Sequence, residues 1–494
     1  MKKNNIKFKN FFKPINLTEG NVYKVIILFA LPILISYIFQ QVYSLCDAAI
    51  IGNNLTESEV NGVNDTGSIM FIFLQFVLGC TAGFSVITSE YFGNKDVQSV
   101  RRSLFTQLVL GFSITIILTI LAVLLIKPLL GLIGLNEVSG GETYKSAYIY
   151  LYIIFIGLFS KIFFNIICSF LRASGDSITP LIFLIISTIL NVVLDVVFIV
   201  CLKMRVDGAA IATVISETIS FIGCTIFMFL KYPQFRLSKS DFHINIKDIY
   251  LHLRNGLPLA LQFSILAIGL ITMQSSLINF DTSVNGIIDP NGPAQLGYGA
   301  ACKLSNFLVT ILNALATAML SFTAQNNGIN NMERIKNGIK ASLHLLVLFS
   351  IVIGCLFLLS TINEAYLHLF YSPEKINRHV ILYGNYYIYL LVCTYFWLGA
   401  LIVYRSIIQG MSKPLYPFLA GVMELIARIL ICIFLPQLIN QNPINSTVLI
   451  TENPRPYIAL CIADPAAWIL GLIPVAFGIY KVIYKNPKKL ILKF

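Results

Sequence analysis

Charged residues are scarce in this chain: Asp, Glu, Lys and Arg make up only 12% of its 494 residues, whereas 57% are hydrophobic. Soluble globular domains carry about a quarter charged residues. The shortage excludes a soluble enzyme and indicates a polytopic membrane protein, which we expect not to be an enzyme. The net charge of +12 does not require a nucleic-acid partner, because membrane proteins concentrate Lys and Arg in their cytoplasmic loops. We therefore expect no nucleic acid.

Cysteine pairs at metal-binding spacing are also missing. The ten cysteines show no CxxC spacing, and Cys80, Cys168 and Cys224 lie inside apolar runs. This is typical of small packing residues rather than of disulfides or zinc ligands. None of the five histidines falls before residue 231. Carboxylates must therefore carry any proton transfer in the first half of the chain.

Long apolar runs, by contrast, are abundant. A hydrocarbon core of about 30 Å needs roughly 20 helical residues, and twelve runs are that long. Their approximate limits are 24–50, 62–88, 104–130, 144–170, 179–202, 208–230, 256–280, 296–324, 338–361, 380–409, 415–436 and 458–482. The chain is thus predicted to be an all-α integral membrane protein with twelve transmembrane helices.

The basic residues are unevenly distributed between the connections of these runs. Most of the 35 Lys and Arg residues fall on one side of the membrane if both termini share that side. Basic connections stay in the cytoplasm. We therefore expect an even number of spans, both termini in the cytoplasm, and a location in the cell membrane, with the lipid bilayer as surroundings.

The two halves of the chain repeat the same landmarks. The aligned pairs are Pro32 with Pro258, Gly93 with Gly328, and Gly175 with Gly410. Both six-helix stretches start on the same side, which indicates parallel repeats related by a pseudo-two-fold axis along the membrane normal. We expect an N-terminal bundle over 1–230, a cytoplasmic linker over 231–254 and a C-terminal bundle over 255–494. Some channels are also duplicated, but two equal halves are typical of transporters.

Polar side chains within the runs are few, and Asn191 and Asp195 are the most informative. Their four-residue spacing places the amide and the carboxylate on one helix face. An acid inside an apolar helix is costly and therefore indicates a functional site. The structural alternative is that Asp195 hydrogen-bonds a neighbouring helix and that Asp47 pairs with Lys161.

Several motifs resemble one known family. They are LPILISYIFQQVYSLCDAAIIGN, EYFGNKD, LRASGD, NVVLDVVF, VDGAAIAT and ADPAAWILGLIP, and they are similar to signatures of the multidrug and toxic-compound extrusion (MATE) transporters. The resemblance implies two six-helix bundles and export of organic compounds driven by inward flow of H+ or Na+, without a cofactor. For the prokaryotic branch with an N-terminal cation site, it implies coupling at Asp47, Asn191, Asp195 and Thr213.

The chemistry of these side chains agrees with that implication. Two carboxylates in a low-dielectric cavity cannot both stay charged cheaply, so they are expected to hold a proton or to share a cation. The oxygens of Asn191 and Thr213 suit a hard cation such as Na+. Met273 and Leu430 occupy the repeat positions of Asp47 and Asp195. We therefore expect coupling only in the N-terminal half, with the choice of H+ or Na+ open.

Further polar residues are assigned to a substrate cleft and to helix packing. Gln40, Tyr43, Tyr150 and Glu217 are candidate cleft residues. Gln40 belongs to the first of the motifs that resemble the family, and the aromatic rings and the acid can bind organic cations. Pro32 is a candidate bend point in the first helix. The small residues at 79–83 are expected to allow close helix packing.

The second half carries its own polar residues. Glu424 and Arg428 are spaced as a helical ion pair, and we interpret them as neutralising each other. Lys303 is expected either to snorkel towards the membrane surface or to meet Glu424.

These features together predict a monomeric secondary antiporter. It would export small organic compounds, often cationic and amphipathic, by rocking of the two bundles around a central cleft. The alternative is a flippase for a lipid-linked saccharide or peptidoglycan precursor, for which a cleft rich in Arg would be expected. Apart from basic residues near their ends, the runs contain only three, Lys161, Lys303 and Arg428, which favours the antiporter.

Overall fold

The computed structural model describes residues 14–137, 140–243, 245–289 and 292–485. The basic segment before residue 14 and the C-terminal tail after residue 485, both expected to be cytoplasmic, lie outside these ranges. In the described ranges the secondary structure is helical, apart from one isolated β-bridge between Thr282 and Ile288.

The helices follow the predicted apolar runs. In the first half they are α1 Val22–Asn54, α2 Glu57–Gly93, α3 Val97–Leu132, α4 Gly141–Ile156, α5 Leu158–Ala173, α6 Ile178–Asp195 and α7 Val206–Lys231. In the second half, besides the four-residue helix Ala365–His368, they are α8 Ile246–Ile278, α9 Pro293–Gly328, α10 Met332–Ser360, α11 Arg378–Gly410, α12 Leu415–Asn440, α13 Arg455–Cys461 and α14 Ala463–Ile479. Eleven continuous helical stretches are long and apolar enough to cross a membrane, and α4 with α5 makes a twelfth. The prediction of an all-α protein with twelve spans is confirmed.

The fourth span is broken, which the sequence did not predict. Helices α4 and α5 meet at Gly157 with a bend of 46°. A Cβ atom on Gly157 would collide with the side chain of Val214 on α7. Because glycine has no Cβ, α7 approaches the backbone of the fourth span at this break.

The fifth span changes its helical geometry directly after Asp195. Helix α6 ends at this residue, and the chain continues as a π-helix over Val196–Cys201. π-Helical turns within α-helices are rare and occur frequently at functional sites. The change in geometry therefore coincides with the most conspicuous acid of the sequence.

The chain divides into two compact units. Unit 1 comprises Met1–Leu261, Leu320–Ile335 and Gln409–Ser412, and unit 2 comprises Gln262–Met319, Lys336–Ile408 and Lys413–Phe494. The predicted bundles of 1–230 and 255–494 follow the sequence repeat, whereas these units follow the packing. Unit 1 therefore also contains helix ends from the second half of the chain.

The segment predicted as a linker, 231–254, is partly helical. It contains two short 3-10 turns, and α8 begins at Ile246. The carboxylate of Asp241 accepts bonds from the Arg101 guanidinium at 2.8 Å and from the amide and hydroxyl of Ser238. Burial opposes the charged form, but these donors hold the pKa of Asp241 below its ordinary value. The segment is thereby anchored to α3.

Small residues bring α2 and α8 together within unit 1. A Cβ on Gly79 or Gly83 would lie 2.5 Å from the Cα of Ala260 or of Gly256, respectively. The two helix backbones therefore pack directly against each other, as small residues permit. The predicted packing role of the small residues at 79–83 is confirmed.

Two glycines that are repeat partners make a reciprocal contact in unit 1, which we call the glycine crossing. A Cβ on Gly93, at the end of α2, would collide with the backbone carbonyl of Gln325. A Cβ on Gly328, at the end of α9, would collide with the carbonyl of Glu90. Glycine is thus required at both positions, because each helix end approaches the backbone of the other.

Side-chain hydrogen bonds surround the glycine crossing. The Glu90 carboxylate accepts bonds from Asn327 Nδ2 and Ser412 Oγ, each at 2.7 Å. The Gln325 side chain donates to the carbonyl of Ala173 at 2.8 Å. These contacts hold the ends of helices from both sequence repeats together inside unit 1.

Gly93→Ala and Gly328→Ala are each expected to destabilise the folded protein by about 1–3 kcal/mol, the usual cost of overpacking. The measurement is the thermal unfolding midpoint of the purified protein in detergent. Gly67→Ala is the matched control, because it lies on α2 and its Cβ would meet no atom within 4 Å. Equal midpoints for Gly93→Ala and Gly67→Ala would contradict the close contact.

Candidate cation site

Three helices of unit 1 bring the predicted coupling residues together. Helix α1 contributes Asp47 and, one turn earlier, Tyr43. Helix α6 contributes Asp195 at its end and Asn191 one turn earlier, and α7 contributes Thr213. The i, i+4 spacing places each pair on one helix face, and these faces meet in the fold.

The hydroxyl of Thr213 connects the three helices. It accepts a bond from Asn191 Nδ2 at 3.3 Å and lies 3.4 Å from the hydroxyl of Tyr43. Asn191 and Asp195 are fully buried. The polar groups therefore lie inside the helix bundle, where an unpaired charge is costly.

The carboxylates of Asp47 and Asp195 lie close enough to interact electrostatically. Among the described residues, no N–H or O–H group reaches Asp47 Oδ1, either carboxylate oxygen of Asp195, or Asn191 Oδ1. Buried oxygens without donors are rare in folded proteins, because each one loses the hydrogen bonds it had in water. The site has several acceptors and few donors.

Such a site can be satisfied by a proton or by a small hard cation. A proton shared between the two carboxylates would remove their repulsion. Na+ would instead be coordinated by carboxylate, amide and hydroxyl oxygens, and the side chains of Asp47, Asn191, Asp195 and Thr213 supply all three types. In the part of the chain that the structure describes, no group of three or more His, Cys, Asp or Glu could hold a metal ion. The neutral oxygens would therefore be needed.

The three other candidate cleft residues differ in their surroundings. Tyr150 is buried in an apolar cluster with Ile154 and Ala210, yet it lies within electrostatic range of Asp47 and Asp195. Gln40 is exposed on α1, on the same face as Tyr43. Tyr150 is thus buried beside the site, whereas Gln40 is exposed.

Glu217 is already paired. The ammonium group of Lys161 lies 2.5 Å from Glu217 Oε1. The alternative in which Lys161 pairs with Asp47 is therefore wrong in this fold, because the break at Gly157 directs α5 towards α7. The sequence contained both residues but no signal for their contact, since they are far apart in the chain.

The ionic residues of unit 2 also have different partners from those predicted. Glu424 pairs with Arg405, and Arg428 Nε donates to Asp464 Oδ1 at 2.9 Å. All four side chains are buried. The predicted Glu424–Arg428 pair is therefore wrong as a direct contact, because neighbouring helices offer each residue a partner with better geometry. Arg405, near the end of the predicted run 380–409, belongs to this buried group.

Lys303 and Met273, the repeat partner of Asp47, also lie in unit 2. The Lys303 ammonium lies over the rings of Phe370 and Tyr371, at 5.2 Å and 5.7 Å from their centroids. It therefore makes cation–π contacts rather than meeting Glu424. Met273, which aligns with Asp47, is fully buried and lies 3.6 Å from the sulfur of Cys432. The position equivalent to the acid of α1 is thus apolar.

Comparison with known families gives two matched stretches, one in each half of the chain. The MatE family model matches residues 32–197 and 267–434. The chain belongs to the MatE family. The proteins of this family are membrane transporters, and this member is a multi-pass membrane protein. The first matched stretch contains Asp47, Asn191 and Asp195.

Curated relatives and solved structures agree with this assignment. The chain is 29% identical to a probable multidrug resistance protein, YpnP, of Bacillus subtilis, over 65% of this chain and 69% of that protein. It is 23% identical to an FAD transporter of Shewanella oneidensis, over 84% and 88%. A crystal structure of MATE in the bent conformation superimposes with a TM-score of 0.80 at 20% identity, covering 96% of this chain and 98% of the other. The structural match shows the shared fold.

Proposed function

We propose that this MatE protein is a secondary antiporter that exports organic compounds, often cationic and amphipathic, in exchange for inward H+ or Na+. The observation that carries the proposal is the neighbouring carboxylates of Asp47 and Asp195, of which Asp47 Oδ1 and both Asp195 oxygens have no donor among the described residues. A structural acid would be satisfied by a neighbouring donor, as Asp464 is by Arg428 and Tyr387. Relatives named as multidrug resistance proteins support the substrate class.

The charge of the site changes when a proton or Na+ binds. Without the cation, Asp47 and Asp195 repel each other, and α1 and α6 are pushed apart. With the cation, both carboxylates can approach and the three helices are held together. We infer that this difference biases alternating access by rocking bundles, with Pro32 on α1 as the bend point. The protein would act as a monomer with both termini in the cytoplasm.

The test is efflux of a fluorescent organic cation from proteoliposomes under separately imposed pH and Na+ gradients. Export driven by one of these gradients supports the antiporter and identifies the ion. Efflux that is independent of both gradients would contradict the proposal. Vesicles without protein, taken through the same gradients, measure passive leakage of the dye.

The flippase alternative is less well supported. Binding of a lipid-linked phosphate calls for available Arg or Lys side chains. In the described part of the chain, Lys161, Arg405 and Arg428 pair with acids, and Lys303 lies over aromatic rings. These contacts neutralise or shield the interior cations. Transport of a fluorescent lipid-linked saccharide between leaflets, without a gradient requirement, would instead favour the flippase.

A further inference from the structure

The Lys161–Glu217 ion pair lies inside unit 1 and is not explained by cation coupling. Gly157 and Val214 mark the closest approach of the fourth span to α7. Lys161 is one turn beyond Gly157, and Glu217 is nearly one turn beyond Val214. The two charged side chains therefore meet on the facing sides of α5 and α7, and their separation of 2.5 Å follows from the packing of the two helices.

The pair differs from the coupling site in its counter-charge, and both of its side chains are partly exposed, as that of Asp47 is. The Lys161 side chain is 35% exposed and the Glu217 side chain 14% exposed, whereas Asp195 is fully buried. Glu217 nevertheless lies within electrostatic range of Tyr43 and Tyr150. It is thus a half-buried acid beside the site, and an ammonium group already neutralises it.

We propose that Lys161 is a specificity-determining residue that acts as a resident monovalent cation on Glu217. A substrate cation reaches Glu217 only by displacing the ammonium group, and the displaced ammonium group binds an anionic group of the substrate. The inference rests on the proposed export function and narrows its substrate class. The preferred substrates are zwitterions that carry a cation and a carboxylate or phosphate on one organic frame.

The preference follows from the cost of leaving a charge without a partner. A simple cation that takes Glu217 leaves the half-buried Lys161 ammonium group without its counter-charge, which is costly. A zwitterion replaces the internal pair with two new pairs, so no charge is left alone. The four-carbon stem of Lys161 is flexible, and its partial exposure gives the ammonium group room to move.

The test compares the binding of two fluorescent dyes that differ only in one anionic group. One is a rhodamine with a free carboxylate, and the other is the methyl ester of the same rhodamine. Their dissociation constants are measured by fluorescence polarisation with the full-length protein in detergent, so no gradient or coupling step is involved. The reported quantity is the ratio of the two constants.

The wild-type protein is expected to bind the free acid more tightly than the ester. In Lys161→Met the ratio should shift by about tenfold or more in favour of the ester, the usual value of one charge-assisted contact. Lys161→Arg keeps the charge and should keep the preference for the acid. Lys127→Met is the matched control, because Lys127 forms an exposed ion pair with Glu137 at 3.1 Å, and it should leave the ratio unchanged.

Each outcome bears on the inference. An unchanged ratio in Lys161→Met, with both dyes still bound, overturns the role of Lys161 and leaves the export function standing. Absence of binding of both dyes to the wild-type protein contradicts the export function and the inference that rests on it. Loss of binding in Lys161→Met with normal binding and acid preference in Lys161→Arg supports a requirement for the positive charge.

Discussion

Asp195→Asn is expected to abolish the dependence of export on an imposed ion gradient. The amide is close in size to the carboxylate, so the packing at the end of α6 is preserved. It cannot exchange a proton or contribute a negative charge, and Asp47 then has no acid to share a cation with. An equilibrium that the ion no longer biases cannot be driven by its gradient. Asp47→Asn should have the same effect for the same reason.

Two measurements separate loss of coupling from loss of structure. Gradient-driven efflux from proteoliposomes should fall to the rate seen without a gradient, while binding of the organic cation in detergent should persist. Asp65→Asn is the control, because Asp65 is an exposed acid on α2 and its loss should leave efflux unchanged. Full gradient-driven efflux in both Asp195→Asn and Asp47→Asn would overturn the coupling site.

Of the variants proposed, Arg428→Met is expected to lower the free energy of unfolding most. It removes the partner of Asp464 and leaves a buried carboxylate whose remaining described donor is the hydroxyl of Tyr387. Breaking a buried ion pair by removing one partner costs about 3–5 kcal/mol. The measurement is the thermal unfolding midpoint in detergent, which should fall well below that of the wild-type protein.

A second variant identifies the cause of this loss. Arg428→Met combined with Asp464→Asn removes both charges and should recover most of the lost stability, because the amide can still accept from Tyr387. Arg455→Met is the control at an exposed position, where removal of an Arg side chain should change little. Equal midpoints for Arg428→Met and Arg455→Met would show that the pair contributes nothing to stability.

The part of the site that could be predicted depends on residues that are close together in the sequence. Asn191 and Asp195 share a helix face because they are four residues apart, and the shortage of charge elsewhere made the acid conspicuous. The resemblance to MATE motifs added Asp47 and Thr213, and the fold places all four side chains together. Their role in coupling stays a prediction, which the aspartate variants test.

The ion pairs were not predictable in the same way. The i, i+4 spacing of Glu424 and Arg428 favoured a pair within one helix, but the fold offers Arg405 and Asp464 from neighbouring helices. From the sequence, several acids were possible partners of Lys161, and only the break at Gly157 determines that it meets Glu217. A long side chain selects its partner by helix packing, which depends on contacts between residues far apart in the chain.

The sequence by itself determined the class of molecule, its twelve spans and its duplicated plan, because hydrophobic length and repetition are properties of the chain alone. Only the tertiary structure determined which polar groups remain without donors and which cations are already paired. Whether a buried polar group has a hydrogen-bond partner depends on the neighbours that packing brings within hydrogen-bonding distance. For this reason Asp47 and Asp195 differ from Glu424 and Asp464 of unit 2 in their hydrogen bonding, although all four acids lie in apolar helices.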